Sequence, residues 1–204
     1  MSVKIYKIGG SGATTTSLKG VHSIVNLESG QSSSQCIHSS NLTIFTCTDG
    51  LVVSAPFIPN QTFSADSFSL FVQTAVIGAK ARVTVYSNTD ILGQAGLPDT
   101  LLLSTADMSL SATGKVTSNT ALKFTFTAGT PYWLAVQTDT SVAVLSAIPV
   151  GNLLCIANKQ ADGTPFCVYY GNKIFSAGGQ DPFENYTSKA YGTLAMPLVL
   201  INIG

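Results

Sequence analysis

Alternation of apolar and polar residues is strongest from Leu51 onward. In Ser67–Val72, Phe68, Leu70 and Val72 share one side of an extended chain, because successive side chains of a strand point to opposite faces. Arg82-Val83-Thr84-Val85-Tyr86 sets Val83 and Val85 against polar partners, and Leu122, Phe124 and Phe126 alternate with Lys123, Thr125 and Thr127. Each run reads as a half-buried strand. Tyr132–Gln137 follows after Ala128-Gly129, and a short glycine-containing link of this kind predicts a hairpin. Val142–Leu145, Leu153–Ala157, Cys167–Tyr170 and Leu198–Ile203 supply further strands. Turn residues at Gly96-Leu97-Pro98-Asp99 and Ala112-Thr113-Gly114 separate them. Strands at roughly 8–12-residue spacing with turn signals between predict an antiparallel β-sandwich, jelly-roll-like in type. No segment carries the 3.6-residue period of a helix, so the expected class is all-β. Gly171–Tyr191 alternates little and reads as a long exposed loop, the usual carrier of recognition on a rigid sandwich.

Before Leu51 the pattern weakens. Residues 1–48 are rich in Ser, Thr and Gly and read as an extended N-terminal arm, an attachment or inter-subunit strap, with residues 49–204 as the sandwich. Ser23–Leu27 and Leu42–Phe45 each suit a short strand. A polar segment that cannot bury its own surface gains order by lying on a neighbour; a leader or an edge strand of the same domain is the competing reading.

Composition narrows the function classes. Charged residues make up 10% of the 204, against roughly a quarter in an average soluble protein, so the polar surface is built from Ser, Thr, Asn, Gln and Gly. The ten basic residues are scattered and the net charge is zero. Nucleic-acid binding needs a clustered cationic footprint, and none is expected here. A weakly charged surface has little self-repulsion and favours association, which suits a subunit of an assembly. No stretch reaches the roughly 20 apolar residues of a membrane helix, so no membrane insertion is expected. Met1–Gly10 lacks the apolar run of a secretory signal.

Candidate chemistry is sparse. His22 and His38 both lie in the polar arm, a poor place to hold a base beside a nucleophile. Cys36, Cys47, Cys155 and Cys167 have no C-x-x-C spacing, so free thiols are expected and no metal or cofactor is. Asp162, Asp181 and Glu184 are the carboxylates best placed for a glycan-modifying pair, although solvated loop carboxylates are the commoner case. The chain is expected not to be an enzyme. Aromatic residues crowd the last third, where Tyr169, Tyr170, Phe183 and Tyr186 neighbour Asn172 and Asn185. Aromatic rings beside amides form sugar-binding platforms, and equally they pack cores and subunit interfaces. These six residues are the candidate binding positions, with a carbohydrate-binding module as the alternative function. Trp133 reads as a core or edge anchor.

One block is more specific. Arg82-Val83-Thr84-Val85-Tyr86-Ser87, Gly96-Leu97-Pro98-Asp99-Thr100-Leu101-Leu102, Ala112-Thr113-Gly114-Lys115 and Thr127-Ala128-Gly129-Thr130-Pro131-Tyr132-Trp133-Leu134-Ala135-Val136 resemble a β-sandwich module of tailed-bacteriophage virion proteins. Val53–Pro59 and Tyr191–Leu194 share its habits, and the resemblance spans about residues 50–204. It implies a non-enzymatic virion component, of tail-fibre, appendage or head-decoration type, with other virion proteins as partners. It also implies a homo-oligomer, trimeric in fibres; the late loops are then available for host-surface contact, with a host-surface glycan as an expected partner. The module offers no catalytic residues to carry over.

Overall fold

Fifteen strands form among the residues described by the computed structural model, which are 31–33, 42–59, 61–89, 97–118, 123–149, 168–172, 174–175, 187–192 and 195–203. In chain order they are β1 (Gln31–Ser33), β2 (Thr43–Thr46), β3 (Leu51–Phe57), β4 (Phe63–Thr74) and β5 (Lys80–Asn88). There follow β6 (Pro98–Ser104), β7 (Met108–Ser109), β8 (Gly114–Thr117), β9 (Phe124–Phe126) and β10 (Tyr132–Thr138). The last five are β11 (Val144–Ile148), β12 (Val168–Asn172), β13 (Thr187–Gly192), β14 (Met196–Pro197) and β15 (Leu200–Ile203). Every pairing is antiparallel, and the chain is an all-β sandwich of two packed sheets.

One sheet runs β1-β15-β4-β11-β14, with β2 joined to β11 and with β8 and β9 joined to β4; the other runs β13-β12-β3-β10-β5-β6, with β7 on β5. Successive segments alternate between the two sheets, as in jelly rolls. This alternation corrects one expectation. The Thr127–Thr130 turn is tight, with Thr130 N–H donating to the Thr127 carbonyl at 3.2 Å and Gly129 at φ 73°, a backbone state that glycine adopts without steric cost. Yet it is no hairpin: β9 pairs with β4 while β10 pairs with β3 and β5. Both runs aim their apolar residues at one core, so the turn carries the chain from one sheet to the facing one.

The core between the sheets collects the alternating residues. Phe68, Leu70, Val72, Val83, Val85, Phe126, Leu134 and Val136 are all buried in it. A bulge shifts the phase of β4: Asn202 faces Ser67 whereas Ile203 faces Ala65, leaving Asp66 as an extra residue in β4. That single insertion lets Phe63 and Ala65 join a core that otherwise takes the even-numbered positions of β4.

The half-buried reading of Ser67–Val72 and Arg82–Tyr86 is corrected too, since Ser67, Ser69, Thr84 and Tyr86 are buried as well, whereas Thr125 of β9 is exposed as expected. All seven residues of β10 are buried, and on β3 and β5 the positions opposite the core, Ser54, Thr84 and Tyr86, are also closed to solvent. On that outer face Val52, Tyr86, Trp133 and Ala135 make a second apolar cluster, with Leu101 packed against it. Trp133 is wholly buried, and its indole N–H donates to Asn88 Oδ1 at 2.9 Å. It is therefore an anchor, on the face away from the main core.

The N-terminal segment joins the sandwich earlier than residue 49. β2 pairs with β11, and Phe45 and Cys47 sit in the main core. Ser69 pairs with both Leu200 and Thr117, and Val72 with both Leu145 and Gly114. Hence β15 and β11 flank the same side of β4, opposite β8, and their outer partners β1 and β2 follow one another along a single sheet edge. The stretch expected as a loop over Gly171–Tyr191 likewise contains β13, which pairs with β12. Of the other strands expected, Ser23–Leu27 and Leu153–Ala157 lie outside the described residues.

Candidate functional site

The two ends of the sandwich are built differently, and the difference follows from which residues the turns carry. At one end Phe57, Phe63, Phe124, Phe126 and Tyr132 close the core. Phe126 meets Phe57 at 5.4 Å, Phe124 at 4.7 Å and Tyr132 at 5.0 Å between ring centroids, each edge to face, the arrangement that ring quadrupoles favour. The Tyr132 hydroxyl accepts a hydrogen bond from Thr127 N–H at 3.1 Å, which ties the ring cluster to the turn.

At the opposite end the turns after β2, β4 and β10 meet the β6–β8 connection and residues 174–175. They are held by backbone and side-chain hydrogen bonds rather than by rings. Gly50 N–H donates to the Thr138 carbonyl and Asp139 N–H to the Lys80 carbonyl, both at 3.1 Å, while Asp49 N–H donates to Ser141 Oγ at 3.0 Å. In the β4–β5 turn, Ala79 N–H donates to the Val76 carbonyl at 3.1 Å and Gly78 N–H to Ser111 Oγ at 3.0 Å. Gly78 takes φ 82° with open space around it.

A cavity of about 460 Å3 opens at this end, lined by Asp49, Lys80, Arg82, Asp107, Asp139, Ile174 and Phe175. Arg82, the only arginine of the chain, organises it. Its Nη2 donates to Asp107 Oδ1 at 2.6 Å and its Nη1 to the Phe175 carbonyl at 3.1 Å, and the guanidinium carbon lies 4.3 Å from the centre of the Phe175 ring. A planar, weakly hydrated guanidinium suits both contacts at once. Lys80 Nζ reaches the second Asp107 oxygen at 3.3 Å, and Lys80 N–H donates to Asp139 Oδ1 at 2.6 Å. Partial burial pushes the Asp107 carboxyl up, but the hydrogen bonds and charges of Arg82 and Lys80 outweigh it and hold the group below the usual carboxylate range.

Both cations of the cavity thus converge on one carboxylate, leaving the Asp49 and Asp139 side chains to give the rim a negative bias. Three branched aliphatics stand out on the turns and segment of this end: Ile77 is 93% exposed, Ile174, which lines the cavity, 74% and Val142 62%. Among the described residues no group of three or more His, Cys, Asp or Glu side chains is arranged to hold a metal ion. Cys47, buried beside this end, is a free thiol. Burial pushes it up to about 11, against smaller opposing hydrogen bonds, chiefly that of Thr138, so it is unreactive in the folded chain.

Of the six positions expected to bind, three lie among the described residues, and none of them lines the cavity. The backbones of Tyr169 and Tyr170 lie in β12, opposite Ser54 and Val53, and Asn172 ends that strand, half-buried, opposite Leu51. Phe183, Asn185 and Tyr186 lie outside the described residues, as do Asp162, Asp181 and Glu184. Of the late aromatics, Phe175 is placed, and it is a buried packing residue under Arg82 rather than an exposed platform. The cavity had only one signal in the sequence, the solitary arginine; Asp107 lies 25 residues away and Phe175 93.

No protein-family model matches the chain, and no curated protein matches it.

Proposed function

We propose that the chain is a structural protein of a tailed-bacteriophage virion, a surface component of fibre, appendage or head-decoration type, working as one subunit of a homo-oligomer. The observation that carries this reading is the course of the N-terminal segment. β1 and β2 lie end to end on one sheet edge, with 30 residues preceding Gln31. A segment attached along an edge by backbone pairing is suited to bridging subunits, since main-chain hydrogen bonds at a sheet edge give affinity without a preformed pocket. Two further features agree. The block that resembles the virion module supplies the central strands β5 and β10, buried on both faces. The sparsely charged composition of the chain suits lasting association.

The test is proteomics of purified particles encoded by the same genome, joined to labelling of the particle surface with antibody against the chain. The protein is expected in multiple copies per particle and accessible to antibody. Its absence from particles that infect normally would overturn the proposal.

A further inference from the structure

The open end of the sandwich has the make-up of a contact surface. Ile77, Val142 and Ile174 are among the most exposed large apolar residues described, and all three belong to this one end. Ile77 sits in a turn fixed by four hydrogen bonds, those of Val76, Gly78, Ala79 and Leu110 N–H. An apolar side chain on a fixed turn loses less backbone freedom on binding than one on a slack segment. The cavity at this end is biased toward negative charge, because Lys80 and Arg82 both serve Asp107 while Asp49 and Asp139 remain at the rim. Its partner should carry positive charge interleaved with aliphatic and aromatic groups.

One segment of the chain has that composition. Val3-Lys4-Ile5-Tyr6-Lys7-Ile8 intersperses four apolar or aromatic residues with two lysines, and the first 27 residues hold Lys4, Lys7 and Lys19 without a single carboxylate. The connection is long enough. Between Ile8 and Gln31 lie 22 residues, a span of up to roughly 70 Å when extended. That exceeds the diameter of a sandwich of this size and reaches an adjacent subunit. We infer that Val3–Ile8 of one copy docks on the Asp49–Asp139 end of a second copy, the long side chains of Lys4 and Lys7 reaching the rim carboxylates from either side of the segment and its apolar residues packing on the exposed aliphatics of that end. The contact is heterologous, arm to sandwich end, so successive copies form a ring or a filament according to the rotation between them. This inference rests on the virion reading above and gives its inter-subunit strap a binding site.

The experiment uses the full chain with a benzoyl-phenylalanine photo-crosslinker in place of Tyr6, as an equal mixture of isotopically heavy and normal protein. Irradiation and peptide mass spectrometry are expected to join residue 6 to peptides containing Ile77, Asp139 or Val142, with about half of the joined pairs mixing heavy and normal partners. Sedimentation of the full chain supplies the second arm. Asp49→Lys with Asp139→Asn is expected to weaken self-association roughly tenfold, as loss of two exposed ion pairs allows, and Lys4→Glu with Lys7→Glu is expected to restore it in part, through the one reversed position. Ile77→Ser is expected to weaken it by a similar factor with the melting temperature unchanged, which separates lost contact from lost folding. Cross-links within single chains only, cross-links to other surfaces, or self-association indifferent to these exchanges would overturn the inference. A chain that is monomeric in solution but present in virions would overturn it while leaving the virion reading standing.

Discussion

The closed and open ends of this sandwich show two uses of the same kind of turn. At the closed end, the residues flanking the turns are Phe57, Phe63, Phe126 and Tyr132, whose rings contact one another. At the open end, the corresponding positions carry Asp49, Lys80, Asp139, Ile77 and Val142, which meet solvent or one another through charge. Ring packing in a dry core contributes to stability, whereas exposed ion pairs contribute little to it. One end therefore contributes more to holding the fold than the other, which on the proposal above serves contact.

The largest effect should come from breaking the closed end. Phe126→Ala removes a fully buried ring that touches four other aromatic rings besides Phe68, and a loss of about 3–5 kcal/mol is expected by denaturant titration. A loss under about 1 kcal/mol would mean that the rings repack and that the contrast between the ends is not energetic. The outer face gives a second, smaller test. Trp133→Phe keeps most of the apolar volume but leaves Asn88 without its indole donor, and about 1–2 kcal/mol should be lost, from the hydrogen bond and the unfilled space together.

Arg82 links the stable sheet to the open end. Arg82→Lys keeps the charge but cannot reproduce the two-pronged contact with Asp107 and the Phe175 carbonyl or the stacking on its ring. Faster proteolysis after residue 175 is expected, with a loss of about 1 kcal/mol in stability; unchanged proteolysis would mean that Arg82 does not hold residues 174–175 in place. pH sharpens the same point. Because the Asp107 carboxyl is held below the carboxylate range, its contribution is complete above the unfolded value and is lost as pH falls through the folded one. The melting temperature of the wild type should thus decline more steeply in acid than that of Asp107→Asn. Cys47 acts at the other extreme. Its protonated form is favoured in the fold, so this contribution is full below the ordinary value of 9.0 and is lost as pH rises through about 11. A thiol reagent should label Cys47 only as fast as the chain opens.

The smallest effect on stability should come from the open end. Ile77→Ser changes a side chain that is 93% exposed, and stability should move by less than about 0.5 kcal/mol.

Much of the scaffold was legible in the sequence, and much of the open end was not. Phe68, Leu70, Val72, Val83 and Val85 announced their core face by alternation, because one inward face is what a strand with period two displays. Their partners Thr84 and Tyr86 looked solvent-facing by the same rule and are buried, since periodicity reports which residues share a face and not whether a second layer covers it. The bulge at Asp66 shifted the phase of β4 without any glycine or proline to mark it. The strand over Leu42–Phe45 was visible, yet its place within the sandwich depended on Phe45 and Cys47 meeting residues a hundred positions away. The same distance hid the Arg82–Asp107–Phe175 arrangement, which exists only once β5, the β6–β7 link and the segment after β12 come together.

Imaging of the assembled particle tests the central claim most directly, namely that the open end is where this protein meets its neighbour. The density is expected to show the turns bearing Ile77 and Val142 covered by an extended segment from an adjacent copy, with the aromatic end free. Turns that face solvent in every copy, or that are covered while Val3–Ile8 lies elsewhere, would contradict it.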